Sequence, residues 1–182
     1  MSNILVSLAA ALYVGMLAIE PAAAESAAHS PANARLDALV GEWKTAIKVW
    51  DNPDGEPVSL KGQTTRQWVL GGRFIEERSE NDTSREGRFQ SIAYLGFDKE
   101  TRLYERFWMT NTATRIFVER GRYDPENNLF LLQGSETSKD GAVISTTSEL
   151  KVSSPDRHIF TAYVTGASGL RWKQLEIVYS RK

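Results

Sequence analysis

Residues 94–108 read YLGFDKETRLYERFW, and this stretch carries the pattern that decides the fold. Two short runs rich in aromatic and aliphatic residues flank a polar turn headed by Asp98, whose carboxylate can accept hydrogen bonds from backbone amides two residues further on. Such an arrangement is typical of two antiparallel strands joined by a hairpin. Residues 97–104 align with residues 123–130, since each segment has an aromatic residue, an Asp, a polar turn, and then Leu and another aromatic residue. The alignment predicts two similar hairpins.

The same succession of runs and turns continues in both directions, from Trp43 to Tyr179. It predicts about ten strands, at residues 42–50, 60–70, 74–80, 88–96, 103–111, 115–123, 128–134, 142–150, 158–165 and 170–180. Because no helical periodicity separates these runs, the connections are expected to be hairpins and the sheet antiparallel. We therefore predict the all-β class, with a single antiparallel β-barrel whose interior is either filled by side chains or holds one ligand.

The first part of the chain has a different composition. Residues 4–19 are almost entirely apolar, and a run of alanines ending at Ala24 precedes Glu25. A short hydrophobic run that ends in small residues predicts a signal peptide at residues 1–24, which is cleaved on export. The alternative is a retained anchor or a mis-assigned start, because no Lys or Arg precedes Arg35. Export would place the protein in the periplasm or outside the cell.

Residues 25–33 are rich in Ala, Ser and Pro, a composition that predicts a disordered leader. Residues 36–40 then place three aliphatic side chains at helical spacing, with Asn33 as a candidate N-cap and Gly41 as the stop. We expect one short helix that plugs an end of the barrel, and a single barrel domain over residues 34–182.

Charge and composition limit the partners. The chain has 22 basic and 23 acidic residues, and removal of residues 1–24 would take away one acid, Glu20, and leave a formal charge of zero. A neutral protein gives no electrostatic reason to bind nucleic acid or an anionic membrane surface. The chain has no Cys, so we expect neither disulfides nor a lipoprotein anchor, and no stable membrane anchor after cleavage. The oligomeric state is left open.

Gly41-Glu42-Trp43 follow the predicted helix at the start of the first strand, and Arg181 comes directly after the last predicted strand. This arrangement resembles the Gly-x-Trp signature of lipocalins and the wider calycin barrels, in which an Arg from the last strand lies over the Trp. The resemblance implies that Trp43 and Arg181 close one end of the barrel. Because a cation over the ring face would stabilise this closure, we expect the Arg181 guanidinium within about 6 Å of the Trp43 ring.

A second resemblance spans nearly all of the chain after residue 40. Its blocks are residues 41–43 with Trp50, then 68–74, 94–98, 107–108, 121–124 and 176–182. Together they resemble the bacterial family known as domain of unknown function 1579. The resemblance implies a lipocalin-like barrel and supplies no activity. One departure is Thr110, at a position where such sequences more often carry an acid.

Five Trp residues in one small domain are a large aromatic content, and core packing is the expected role of most of them. Period-two alternation places Arg66 with Trp68 on one face of their strand, and Arg106 with Trp108 on one face of theirs. On inward faces, these residues would bind a small apolar or amphiphilic ligand with an anionic head. On outward faces, each pair would be a solvated cation–π contact. Two inward guanidinium groups would require an acid partner, ordered water or the ligand itself.

Other titratable residues give weaker signals. Glu76 and Glu77 are adjacent in a strand and point to opposite faces, which excludes a shared catalytic proton; solvation at the surface is their expected role, as for Glu80. His158 stands alone in the domain. A lone His can ligate haem in some barrels, whereas zinc would need three or four clustered ligands. No nucleophile elbow or dinucleotide motif is present, so no catalytic, metal or cofactor site is predicted.

Three functions are compatible with this sequence. The first, and the preferred one, is a carrier or sensor that holds a small molecule in the barrel. The second is a protein-interaction module with a filled barrel and an exposed apolar patch. The third is an enzyme, which would need a buried acid or His with a shifted pKa in the cavity.

Overall fold

The computed structural model describes residues 30–82, 87–137, 141–166 and 168–182. Ten antiparallel strands form a closed barrel, in which each strand pairs with its neighbours in sequence and the last pairs with the first. The strands are β1 (Gly41–Val49), β2 (Val58–Val69), β3 (Phe74–Asn81), β4 (Phe89–Asp98), β5 (Leu103–Thr110), β6 (Phe117–Asp124), β7 (Leu129–Thr137), β8 (Val143–Ser154), β9 (Arg157–Thr165) and β10 (Arg171–Arg181). The predicted all-β class, with one antiparallel barrel and a short N-terminal helix, is confirmed.

Two expectations from the sequence concern a membrane anchor and export. In the described ranges, no helix has the length and apolar character that crossing a bilayer would need. The signal peptide predicted at residues 1–24 lies outside the described residues.

The two hairpins predicted from the sequence alignment have the same turn. Asp98 accepts hydrogen bonds from the backbone N–H groups of Glu100 (2.9 Å) and Thr101 (3.3 Å). Asp124 accepts the equivalent bonds from Glu126 (3.0 Å) and Asn127 (3.3 Å). The residue before the second strand has a positive φ in both turns, 58° at Arg102 and 51° at Asn128. The sequence repeat therefore encodes one turn structure, which connects β4 to β5 and β6 to β7.

The N-terminal helical segment consists of α1 (Pro31–Ala34) and a 3₁₀ helix (Asp37–Leu39). Two expectations about it are corrected. Ser30 is the N-cap, because its hydroxyl accepts the Asn33 backbone N–H at 3.1 Å, and Asn33 is buried inside the helix instead of capping it. The expected leader over residues 25–33 is too long by its last residues, since Pro31 already starts the helix; residues 25–29 lie outside the described residues.

Three aromatic side chains from the strands hold this segment across one end of the barrel. The Trp43 indole N–H donates to the Leu39 carbonyl at 3.0 Å, and the Tyr104 hydroxyl donates to the Ala32 carbonyl at 2.9 Å. The Trp68 indole N–H donates to the Asp37 carboxylate at 2.9 Å. The core packs around these rings, with Leu36, Leu39, Ile75, Leu95, Phe130 and Leu132 buried. This end of the barrel is therefore closed and filled.

The expected contact between the two ends of the chain is present. The Arg181 guanidinium lies 4.3 Å from the Trp43 ring centroid. Its Nη1 donates to the Val40 carbonyl at 3.1 Å, and its Nη2 donates to the Pro155 carbonyl at 2.7 Å. Arg181 thus ties the last strand to the segment that enters β1, while Trp43 itself is fully buried.

We predict that Trp43→Ala destabilises the protein more than Arg181→Lys. The Ala variant removes a fully buried ring and leaves a cavity, at a cost of about 3–5 kcal/mol. The Lys variant keeps the charge and loses the flat guanidinium, at a cost of about 1–2 kcal/mol. Urea unfolding followed by circular dichroism measures both. Equal losses, or a larger loss for Arg181→Lys, would contradict the account of the closure.

Candidate functional site

The other part of the barrel interior contains a cavity of about 430 Å³. This volume lies within the range of small-molecule sites, roughly 300–1,000 Å³. Its lining residues nearest the open end, among them Val49, Leu60 and Phe89, stand at strand ends remote from the helical plug. The barrel therefore has a filled end and a hollow end, and the filled-barrel alternative does not describe this interior.

The four residues predicted to bind a ligand all point inward, so the outward alternative is wrong. Arg106 and Trp108 line the cavity. Arg66 is only 4% exposed and lies deeper, with its guanidinium 4.0 Å from the ring centroid of Tyr179. Trp68 is deeper still, against the plug. The four residues share the inner face of the barrel, but only one of the two pairs reaches the cavity.

Two carboxylates accompany the two guanidinium groups. Arg66 Nε lies 2.6 Å from Glu77 Oε2, and Arg106 Nη1 lies 3.0 Å from Glu119 Oε2. Arg106 Nη2 also lies 4.0 Å from Glu77 Oε1, which links the two ion pairs into one chain. The Ser148 hydroxyl donates to Glu119 at 2.5 Å. We call Arg66, Glu77, Arg106 and Glu119 the charged floor, because these four residues separate the filled end from the cavity. Their formal charges sum to zero.

The surface role expected for Glu77 is wrong. Glu76 and Glu77 do point to opposite faces, and Glu76 lies on the outer face. It is nevertheless only 8% exposed, because Arg78 pairs with it at 2.7 Å and the Tyr94 hydroxyl donates to it at 2.7 Å, so the expected solvation is wrong for Glu76 as well. Glu77 points inward, on the same face as Arg66, its cross-strand partner on β2. Glu80, as expected, is half-exposed at the surface and pairs with Arg88.

The electrostatics of the floor keep Glu77 ionised. Burial acts to raise the pKa of this carboxyl, but the charges of Arg66 and Arg106 and the hydrogen bond from Arg66 outweigh it, and the pKa is lowered. Burial raises the pKa of the nearby Tyr179 hydroxyl. Glu77 is therefore a fixed negative charge at neutral pH, whereas a general acid would need a raised pKa.

His158 lies outside the cavity lining. Its ring is fully buried, 4.3 Å from the Trp43 ring, and its Nδ1 lies 3.5 Å from Arg66 Nη1. Burial, assisted by the charges of Arg66 and Arg181, lowers the pKa of His158 to about 3. The haem alternative therefore has no support from this position. No group of three or more His, Asp or Glu side chains among the described residues could hold a metal ion.

The cavity walls carry residues that the sequence analysis did not single out. Thr64, Ser79 and Ser91 are successive cross-strand partners on β2, β3 and β4, and the Thr64 and Ser79 hydroxyls are 2.7 Å apart. Phe117 of β6 is the cross-strand partner of Trp108, with ring centroids 4.9 Å apart. Alternation along β2 places Thr64 on the same face as Arg66, so this part of the wall can be predicted from the sequence. The wall residues on the neighbouring strands can be identified only when the register of strand pairing is known.

A closed antiparallel barrel with a short helix across one end and a small-molecule-sized cavity at the other defines a lipocalin-like protein. The chain belongs to the family described as Protein of unknown function (DUF1579), whose family model matches residues 29–181. No curated protein matches the chain.

Solved structures show the same fold at low sequence identity. The crystal structure of Rv2717c from M. tuberculosis superposes with a TM-score of 0.60 at 14% identity, covering 84% of this chain and 98% of that one. The S-type phycobiliprotein lyase CPES from Guillardia theta superposes with a TM-score of 0.56 at 11% identity, covering 86% of this chain and 95% of that one. These likenesses concern the fold.

We expect Glu77→Gln to lower the free energy of unfolding by about 3–5 kcal/mol, because it leaves Arg66 buried without a counter-charge. The matched control is Glu80→Gln on the same strand, where the exposed ion pair contributes at most about 1 kcal/mol. Urea unfolding of both variants at neutral pH gives the comparison. A loss at residue 77 no larger than the loss at residue 80 would mean that the charged floor does not hold the barrel together.

A second prediction concerns pH. The pKa of His158 is lowered in the folded state, so the unfolded chain binds a proton more readily and stability falls as pH decreases from about 6.5 towards the folded value. The slope contributed by this group is about 1.4 kcal/mol per pH unit in that window. His158→Phe removes it, and we expect a flatter profile for this variant between pH about 4 and about 6. An unchanged slope, measured by urea unfolding across the window, would contradict the burial of a neutral His158.

Proposed function

We propose that this protein binds one small, mostly apolar molecule in the barrel cavity, with an uncharged polar group of the ligand at the charged floor. The observation that carries this proposal is a cavity of about 430 Å³ whose walls are largely aliphatic and aromatic and whose inner end holds Arg106, Glu77 and Glu119. Apolar walls with a few convergent polar groups are the usual design of a small-molecule site.

The charge balance argues for an uncharged polar group. The expectation of an anionic head rested on two guanidinium groups free to meet it, but Arg66 and Arg106 both have carboxylate partners. A carboxylate added to this balanced cluster would bury an unpaired negative charge, which is costly. A hydroxyl, carbonyl or amide would instead share the hydrogen bonds of Arg106 and Glu119 without adding charge.

The two other functions receive less support. An interaction module would have a filled barrel, and this barrel is hollow at one end. An enzyme would need an acid or base poised near neutral pH, whereas the pKa of Glu77 is lowered and His158 does not line the cavity. Export remains a proposal that rests on the composition of residues 1–24.

Binding is tested with N-phenylnaphthylamine, an uncharged fluorophore whose emission rises in apolar surroundings. We expect saturable binding at one site per chain. Ser91→Trp, which fills the cavity from β4, should weaken binding at least tenfold. Gln90→Trp is the matched control: it adds the same side chain at the adjacent, exposed position and should leave binding unchanged. No saturable binding, or equal loss in both variants, would contradict the proposal.

The polar group of the ligand is tested by displacement of the same fluorophore. Decanol and decanoate have the same chain length and differ in the charge of the head at neutral pH. The balanced floor predicts that decanol displaces the fluorophore at lower concentration than decanoate does. If decanoate displaced the fluorophore at lower concentration, the result would contradict the uncharged polar group and favour a ligand with an anionic head.

A further inference from the structure

We propose that the ligand of this cavity is a flat ring compound with oxygen substituents along one edge, as opposed to a linear chain. This inference rests on the proposed binding function and concerns the chemical class of the ligand. It follows from how the cavity walls are distributed around the barrel.

One wall is a pair of aromatic rings. Trp108 of β5 and Phe117 of β6 are cross-strand partners, with ring centroids 4.9 Å apart and planes at 41°. Each ring has an Arg beside it: Arg106 lies 5.7 Å from the Trp108 centroid, and Arg115 lies 5.8 Å from the Phe117 centroid. Both Arg side chains are anchored by acids, Glu119 at 3.0 Å and Glu136 at 2.6 Å. The rings are therefore held between two ion pairs as a fixed surface for stacking.

The opposite wall is mostly aliphatic. In a closed barrel of ten strands, the strands five places apart face each other, so β5 and β6 face β10 and β1. Four of the six cavity residues of β1 and β10 form two aliphatic cross-strand pairs, Ile47 with Ile177 and Val49 with Leu175, and the other two are Thr45 and Gln174. A ligand between these walls meets aromatic rings on one side and branched aliphatic side chains on the other.

The walls between them carry hydroxyl groups and small residues, with bulkier apolar side chains towards the two ends of the cavity. On β2 to β4, the row Thr64, Ser79 and Ser91 carries three hydroxyl groups, and Ser91 forms no hydrogen bond with another side chain in the part of the chain that the structure describes. On the facing strands β7 to β9, the lining includes Gly134, Thr146, Ser148 and Ala162, while the bulkier Phe160 lies beside the floor, 4.9 Å from the Arg106 guanidinium, and Val164 lies near the open end of β9. Two faces of the cavity are thus mainly apolar, and its two edges carry hydroxyl groups or small side chains between the floor and the open end.

A flat ring compound fits this distribution. Its two faces would lie against the aromatic and the aliphatic walls, and oxygen substituents on one edge would meet the hydroxyl row. A linear chain would cover the same row with methylene groups, which removes water from the hydroxyls and offers no hydrogen bond in return. A cavity of about 430 Å³ limits the ligand to a compact compound of a few rings.

The test compares naphthol with decanol, which have the same number of carbons and one hydroxyl each, in displacement of bound N-phenylnaphthylamine. We expect naphthol to bind at least about fivefold more tightly, a preference of the size that aromatic stacking supplies. Trp108→Leu and Phe117→Leu keep the wall apolar and remove its rings; in either folded variant the preference should fall to about twofold or less.

The predicted hydrogen bonds between the ligand edge and the hydroxyl row are tested by comparing the affinity for naphthalenediol with the affinity for naphthol. The second hydroxyl should improve binding to the wild-type protein about threefold, and Ser91→Ala should abolish that gain, so that the variant binds naphthalenediol and naphthol equally. Equal binding of naphthol and decanol, a preference for decanol, or failure of both to displace the fluorophore would overturn the flat-ligand class while fluorophore binding still upholds a ligand cavity. A protein that does not bind the fluorophore at all would refute the binding function, and this inference with it.

Discussion

The structure depends on one buried chain of ion pairs, from Arg66 through Glu77 and Arg106 to Glu119. Four charges inside a barrel are tolerated only because each has a partner of opposite sign within hydrogen-bonding reach or close to it. Their position also divides the interior. On one side, Trp43, Tyr104 and Phe130 fill the space under the helical plug. On the other side, the barrel is hollow, and the same charges form the polar end of the cavity. Stability and the proposed binding function therefore use the same four side chains.

Much of the fold was available from the sequence because its signals are local. The turn carboxylates at Asp98 and Asp124 fix their hairpins within three residues, and the ten runs of strand residues follow from alternation and turn chemistry. The Gly-x-Trp start of β1 and Arg181 were linked by resemblance, and they do meet in space. The errors lie at the N-terminus, where a polar, alanine-rich composition predicted disorder but Ser30 and Pro31 start a helix that the barrel then buries.

The candidate site was only half predictable for a physical reason. Alternation along one strand shows which residues share a face, so Arg66 with Trp68 and Arg106 with Trp108 were found. It does not show which face is the inner one, or which acid on another strand lies opposite. Glu77 pairs with Arg66 across the β2–β3 register, and Glu119 pairs with Arg106 across the β5–β6 register. Without these registers, an acid partner is only one of three options for the guanidinium groups, beside water and the ligand, and Glu77 is assigned to the surface. The partition of the interior into a filled and a hollow end depends on packing across the whole barrel, which no local pattern reports.

The central claim is that a ligand enters the hollow end and stops at the charged floor. The most direct measurement is an NMR titration of the five Trp indole N–H resonances with N-phenylnaphthylamine. The claim predicts that the Trp108 resonance shifts progressively and saturates, while those of Trp43 and Trp68, which lie beyond the floor at the plug, stay in place. Shifts at Trp43 and Trp68 with Trp108 unmoved, or no shift at any indole at saturating N-phenylnaphthylamine, would contradict it.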